Sequence, residues 1–207
     1  MFKPGTDPFD RLAAGGDPAA AAERFLIAAG RDDTLDHCRA VAEEAGRLAL
    51  LYGLDVGRTR LAALIHDLAA VVPDAERVAV AESLGLAPDD DQRRVPLLLH
   101  GPIAATVLRR RLGVQDEEVL AAVRWHTTCR PGATPLELVV FVADKIALDP
   151  TSPERDFVPA VRSAAERSLE EAALVYLDWL IAHLAAIGGR AHPDALAAHR
   201  DLRSVRG

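Results

Sequence analysis

Six side chains could share one piece of chemistry: His37, the doublet His66-Asp67, His100, His126 and Asp144. Each falls on, or at the end of, a segment whose apolar spacing predicts a helix. An ionised Asp among apolar residues is costly to bury unless a partner compensates. A divalent metal ion does so, pairing with the carboxylate and with neutral imidazole at once. For the doublet alone, a buried His–Asp hydrogen bond is an equally good reading; the ordered set favours metal. Four His and two Asp exceed one tetrahedral site and suit two ions sharing a bridging carboxylate. Mixed imidazole and carboxylate ligation favours Fe, Mn, Zn or Co over a Mg or Ca site. Two adjacent ions acidify a water and clamp a phosphoryl group. The indicated chemistry is hydrolysis of a phosphate ester or anhydride, with no side-chain nucleophile.

Helices must bring these residues together, as bundles do when they build metal sites from facing side chains. Asp17-Pro18 is a cap followed by Pro at the first helical position, predicting a helix over about 18–29. A second is expected over 34–52, with Leu35, Val41, Ala45, Leu48 and Tyr52 inward and Gly53 as its stop. The third, over 58–71, carries His66-Asp67 in its interior. Pro73-Asp74 opens a helix ending at Gly85, and residues 87–96, with Asp89-Asp90-Asp91, read as a solvated loop. His100-Gly101-Pro102 opens the next helix, ending at Gly113. Asp116 caps a helix over about 117–127, and 127–132 is a loop. Thr134-Pro135-Leu136-Glu137 has the form of a capping box, and its helix carries Asp144. A Pro-rich link over 149–159 precedes one or two amphipathic helices to about 187. The division expected is a loose leader over 1–16, one domain over 17–187 and a tail over 188–207 with a short helix from Pro193.

The bulk composition fits. Half of the 207 residues are hydrophobic and only 4% aromatic, the profile of an all-α protein. A formal net charge of −7 argues against a general electrostatic grip on nucleic acid or an anionic membrane. Cys38 and Cys129 are far apart and lack CxxC spacing, which suits a reducing cytoplasm. No long uncharged apolar stretch suggests a membrane span, and Met1-Phe2-Lys3-Pro4-Gly5 lacks the apolar region of a signal peptide.

The order H…HD…H…H…D resembles that of the HD-domain metal-dependent phosphohydrolases. The nearest resemblance is to their YqeK-type branch, the bacterial symmetrical bis(5′-nucleosyl)-tetraphosphatases. That branch carries a stretch like Val123-Arg124-Trp125-His126-Thr127-Thr128-Cys129-Arg130-Pro131-Gly132, then a Leu-Glu pair, then Val142-Ala143-Asp144. Gly113-Val114-Gln115-Asp116-Glu117 is similar as well. The likeness covers 34–147 well and 153–187 loosely. It implies an all-α HD-domain bundle with a dinuclear metal site in its core. His37, His66, Asp67 and Asp144 would hold one ion, and Asp67 would bridge to a second completed by His100 and His126. Thr127, Arg130 and Arg155 would contact substrate. The implied reaction is symmetrical cleavage of diadenosine tetraphosphate to two ADP, with two divalent ions, iron foremost and Mn, Zn, Co or Ni as alternatives. The chain departs from the family at Ala70, where a lysine is frequent, at Ile146-Ala147-Leu148, where Ile-Glu-Pro is usual, and at Cys129, where a small residue is usual.

Two other readings compete: a broader phosphohydrolase acting on nucleoside phosphates or cyclic nucleotides, and a non-catalytic nucleotide-binding module. The second predicts a missing ligand, and none is missing. A small-molecule nucleotide is the expected partner, and a homodimer is compatible with the sequence. Individual residues also have plainer readings. His37 alone would be an exposed helical His, and Arg130 a loop Arg paired with a nearby acid. Cys38 and Cys129 read as buried thiols, and Trp125 as packing rather than base stacking. His183, His192 and His199 read as surface residues outside the set, the last two with adventitious metal as the alternative.

Overall fold

In a computed structural model, described over residues 7–12, 16–148 and 155–204, every α-helix follows from local signals in the chain. Their order is α1 (Pro18–Ala28), α2 (Asp32–Leu51), α3 (Val56–Ile65), α4 (Asp74–Ser83), α5 (Asp90–Arg94), α6 (His100–Arg111), α7 (Glu117–Trp125), α8 (Pro135–Ile146), α9 (Val158–Ala165), α10 (Leu169–Ala186) and α11 (Pro193–Ser204). No strand occurs among the described residues, and none of their helices is long and apolar enough to cross a membrane. Asp17, Asp55 and Asp116 cap α1, α3 and α7 by accepting first-turn N–H groups, and Ser168 does so for α10.

The bundle is arranged around α8. Every residue from Leu136 to Ile146 is buried, the mark of a helix enclosed on all sides. It packs against α2, α3, α7, α9 and α10, while α6 lies against α7. So Asp144 and Lys145 are carried into the centre by an otherwise almost wholly apolar helix.

Three expectations need correction. The helix expected over 58–71 ends at Ile65; His66 is its C-cap, Asp67 leaves helical geometry (φ −99°, ψ 18°), and Leu68–Val71 form a 3₁₀ turn. The apolar spacing continues across this break because both halves face the same core. The loop expected over 87–96 instead holds α5, which Asp89 and Gln92 start with a capping box, and a 3₁₀ turn at Pro96–Leu99 follows. Its acids are not merely solvated: Asp91 pairs with Arg94 and with Arg190 (2.9 Å). Nor is His192 a surface residue. It is buried at the start of α11, with Nε2 3.1 Å from Asp89 Oδ2, while His199 pairs with Asp178 at 2.7 Å.

Part of the expected leader lies outside the described residues. Within 7–12, Phe9 and Leu12 are buried, Phe9 stacks on Phe25 (5.9 Å between ring centres), and Asp7 pairs with Arg111. This segment packs on the body. Of the Pro-rich link, residues 149–154 lie outside the described residues, and Phe157 beyond them is buried.

Candidate metal centre

The six side chains meet at the centre of the bundle. His37 comes from the first turns of α2, His66 and Asp67 from the break after α3, His100 from the first residue of α6, His126 from the C-cap of α7, and Asp144 from α8. Helix ends do much of the positioning, and they do it in one repeated way. His66, His100 and His126 each donate Nδ1–H to the carbonyl three residues earlier: Ala63 (2.6 Å), Leu97 and Val123 (2.8 Å). A carbonyl can only accept, so the proton sits on Nδ1 and the Nε2 lone pair faces inward.

These lone pairs have no ring hydrogen to share. Nε2 of His100 and Nε2 of His126 stand 2.7 Å apart, and His66 Nε2 is buried without a hydrogen-bond partner. Burial holds His126 well below the ordinary histidine range, and repulsion from His100 and His66 lowers it further. Protonating His126 is therefore not how the crowding is relieved. Converging imidazole lone pairs call for a cation, and the donors offered, neutral nitrogen with carboxylate oxygen, are those of a transition-metal centre.

The two carboxylates complete it. Asp67 Oδ1 lies 3.1 Å from His100 Nε2 and 3.5 Å from His126 Nε2, while its Oδ2 lies 3.6 Å from His66 Nε2. Its two oxygens thus face different imidazoles. Burial raises this carboxyl, and positive charge placed among the surrounding imidazoles lowers it, the part a bound cation would take among neutral rings. Asp144 Oδ1 lies 3.0 Å from His37 Nε2 and 3.8 Å from His66 Nε2. Asp144 is likewise held well below the ordinary range against its burial, chiefly by Lys145 and by the His37 hydrogen bond. Three overlapping groups have ligand atoms within 4.8 Å of one another: His37, His66 and Asp67; His66, His126 and Asp144; and Asp67, His100 and His126.

The expected substrate residues fare differently. Thr127 lies at the centre, its Oγ1 3.1 Å from His126 Nε2 and 3.3 Å from His100 Nε2. Arg130 is engaged elsewhere: its Nε and Nη2 bind the two oxygens of the buried Glu137 at 2.7 and 2.6 Å, and its guanidinium carbon sits 4.9 Å from the centre of the Trp125 ring. The plainer reading of Arg130, a loop Arg paired with an acid, describes this arrangement. Half-buried Trp125 serves as its platform, as it does for Arg124 at 5.1 Å. Glu137 therefore does not complete the capping box: Thr134 accepts its N–H at 3.3 Å, but its side chain goes to Arg130. No described contact joins Arg155 to the cluster.

Between His126 and Arg130 the loop is under tension. Buried Cys129 adopts φ +60°, a left-handed conformation that costs a non-glycine residue on the order of 1 kcal/mol. Its N–H bonds Trp125 O at 2.8 Å, which folds the loop back over the end of α7.

Sequence reasoning missed two features. One is Lys145, buried beside Asp144; its neighbour in the chain was the only signal. The other is Gly101. A Cβ there would stand 2.7 Å from Arg124 O and 2.9 Å from Val123 O, both backbone atoms that cannot yield. Gly101 thus lets α6 approach α7 closely enough to bring His100 and His126 face to face. Gly101→Ala is expected to force the helices apart. Overpacking against rigid backbone should cost ~3 kcal/mol, lowering the melting temperature by roughly 6–12 °C. Metal affinity should fall with it, by at least about tenfold, because ligand spacing is lost. Differential scanning calorimetry and a metal titration on one preparation check both; an unchanged titration would show the two histidines do not depend on this contact.

Comparison with known proteins agrees with the fold. The HD domain family model matches residues 34–149. The chain belongs to the HD domain family. Among its relatives, the symmetrical bis(5′-nucleosyl)-tetraphosphatase of Halalkalibacterium halodurans is 37% identical over 80% of this chain and 87% of that protein. The protein of the same name from Bacillus subtilis is 38% identical over 66% of this chain and 71% of its own length. The crystal structure of a predicted HD superfamily hydrolase involved in NAD metabolism from Clostridium acetobutylicum superposes with a TM-score of 0.85 at 29% identity, covering 92% of this chain and all of that one.

Proposed function

We propose that this chain is a metal-dependent phosphoric anhydride hydrolase that cleaves diadenosine tetraphosphate symmetrically into two ADP. The observation that carries the reading is the arrangement around Asp67, whose two oxygens face different imidazoles and can serve two ions at once. We assign His37, His66, Asp67 and Asp144 to one divalent ion, and Asp67, His100 and His126 to the other. Iron is the first choice, with Mn, Zn, Co or Ni as alternatives. We assign the catalytic domain to residues 17–187. The names of the relatives in Halalkalibacterium halodurans and Bacillus subtilis supply the substrate class.

When bound, two such ions supply an acidified water and neutralise charge developing on a phosphoryl group. The chain's part is to hold the donors and exclude competing nucleophiles. Burial pushes the Cys38 thiol far up and the Cys129 thiol up to about 12, so neither offers a thiolate at neutral pH. The Thr127 hydroxyl, beside the Nε2 atoms of His100 and His126, is placed to bond a phosphoryl oxygen. Arg130 is exposed on one side and keeps Nη1 outside its fork with Glu137, leaving a donor for the distal phosphates. The role of Arg155 rests on the sequence resemblance. Two free, separated thiols suit a cytoplasmic protein.

The test is product identification. Protein stripped with chelator and reloaded with Fe²⁺ or Mn²⁺ is offered a panel of dinucleoside polyphosphates, nucleoside phosphates and cyclic nucleotides. Two ADP per diadenosine tetraphosphate is the expected result, with no turnover in the stripped sample. ATP plus AMP as products would overturn the symmetrical reading. Turnover of mononucleotides alone would favour the broader hydrolase, and binding without turnover the regulatory module.

A further inference from the structure

A fully enclosed lysine is the costliest residue near this site. Lys145 is 5% exposed on α8, where the surrounding positions are apolar. Taking an ammonium out of water costs several kcal/mol even when paired, and a well-packed hydrophobic residue would usually be as stable or more so. Its presence therefore points to something other than stability. Its donors are all committed. Nζ binds Asp144 Oδ2, lies 3.3 Å from the His126 carbonyl oxygen, and faces the rings of Phe141 (5.2 Å) and Tyr176 (5.1 Å). The Asp144 carboxylate is thereby divided: Oδ2 belongs to Lys145, and Oδ1 faces His37 and His66.

We propose that Lys145 is a positioning residue that restricts Asp144 to binding metal through Oδ1 alone. It also ties Asp144, from α8, to His126, from the end of α7. The inference rests on the metal reading above. A carboxylate free on both oxygens could turn about its Cα–Cβ and Cβ–Cγ bonds or bind through both oxygens; the ammonium removes both freedoms. The rings of Phe141 and Tyr176 lock the lysine in turn by packing against the cation.

The test is a double-mutant cycle on Mn²⁺ affinity, measured by titration calorimetry with wild type, Lys145→Met, Asp144→Asn and the double variant. Methionine fills the space between the rings without charge, and the asparagine amide oxygen still ligates weakly, which keeps binding measurable. Lys145→Met is expected to weaken Mn²⁺ binding about tenfold when Asp144 is intact, and less than about twofold in the Asp144→Asn background. An equal loss in both backgrounds would overturn the proposal, since packing damage does not depend on the carboxylate. No loss in either would overturn it as well. Wild type that binds no Mn²⁺ would instead overturn the metal reading, and this inference with it. If Lys145→Met is too unstable to purify, Lys145→Leu, which likewise offers no donor to Asp144, enters the same cycle with the same criteria.

Discussion

Replacing Asp67 with alanine is expected to remove bound metal and activity together. Its carboxylate is within reach of His66, His100 and His126 at once, at 3.6, 3.1 and 3.5 Å. Without it, one negative charge and the proposed bridging ligand are lost, and three inward lone pairs remain. Loss of metal stabilisation worth several kcal/mol corresponds to at least ~10³-fold in kcat. The fold should survive, because Asp67 lies in the turn after α3 and its side chain caps nothing. Metal analysis, circular dichroism and a rate measurement on one preparation separate these effects. A variant with full metal content and wild-type turnover would end the assignment of Asp67 as the bridge.

Arg130→Ala should act on stability and on substrate together, with metal content intact. The sequence reading offered this arginine either a phosphate contact or a nearby acid as partner. The structure adds that its fork neutralises Glu137, which is 4% exposed. Removing one partner of such a pair leaves a buried charge uncompensated. With the guanidinium itself partly solvated, the cost should sit near the low end of the range, ~3 kcal/mol. For a domain of this size that is a fall in melting temperature of roughly 6–12 °C. Losing one charge-assisted contact to the polyphosphate should also lower kcat/KM by about 10- to 100-fold. Glu137→Gln separates the two effects, because it releases the guanidinium without removing it. Retained kcat/KM in Glu137→Gln beside the loss in Arg130→Ala assigns the phosphate contact to Arg130. Equal losses in both would show that the pair only shapes the loop from Thr127 to Gly132.

The latent division of labour in this loop explains the strain at Cys129. With its N–H on Trp125 O, the chain turns sharply after His126, and Arg130 arrives over the Trp125 ring. Gly132 then passes its own N–H to Asp201 on α11 at 2.8 Å, so the C-terminal helix holds the far end of the same loop. The helix expected from Pro193 is thus in contact with the segment that carries the proposed substrate residues.

The helical class and the order of the six candidate ligands were legible in the amino-acid sequence. Helical periodicity and capping are local properties, and a histidine or aspartate in an apolar helix announces an unusual burial wherever it lies. Asp17 before Pro18, Asp116 before α7 and Gly53 after α2 act through neighbours a few residues away and were legible for that reason. Periodicity also misled where both sides of a break face one core, as at His66-Asp67, since it reports burial and not backbone hydrogen bonds. Only the tertiary structure decided the partners. That Arg130 meets Glu137, that Lys145 holds Oδ2 of Asp144, and that Gly101 lets two backbones touch all depend on which helices lie side by side. The tautomer of each inward histidine is set locally, by the carbonyl three residues earlier, but the company its Nε2 keeps comes from other helices.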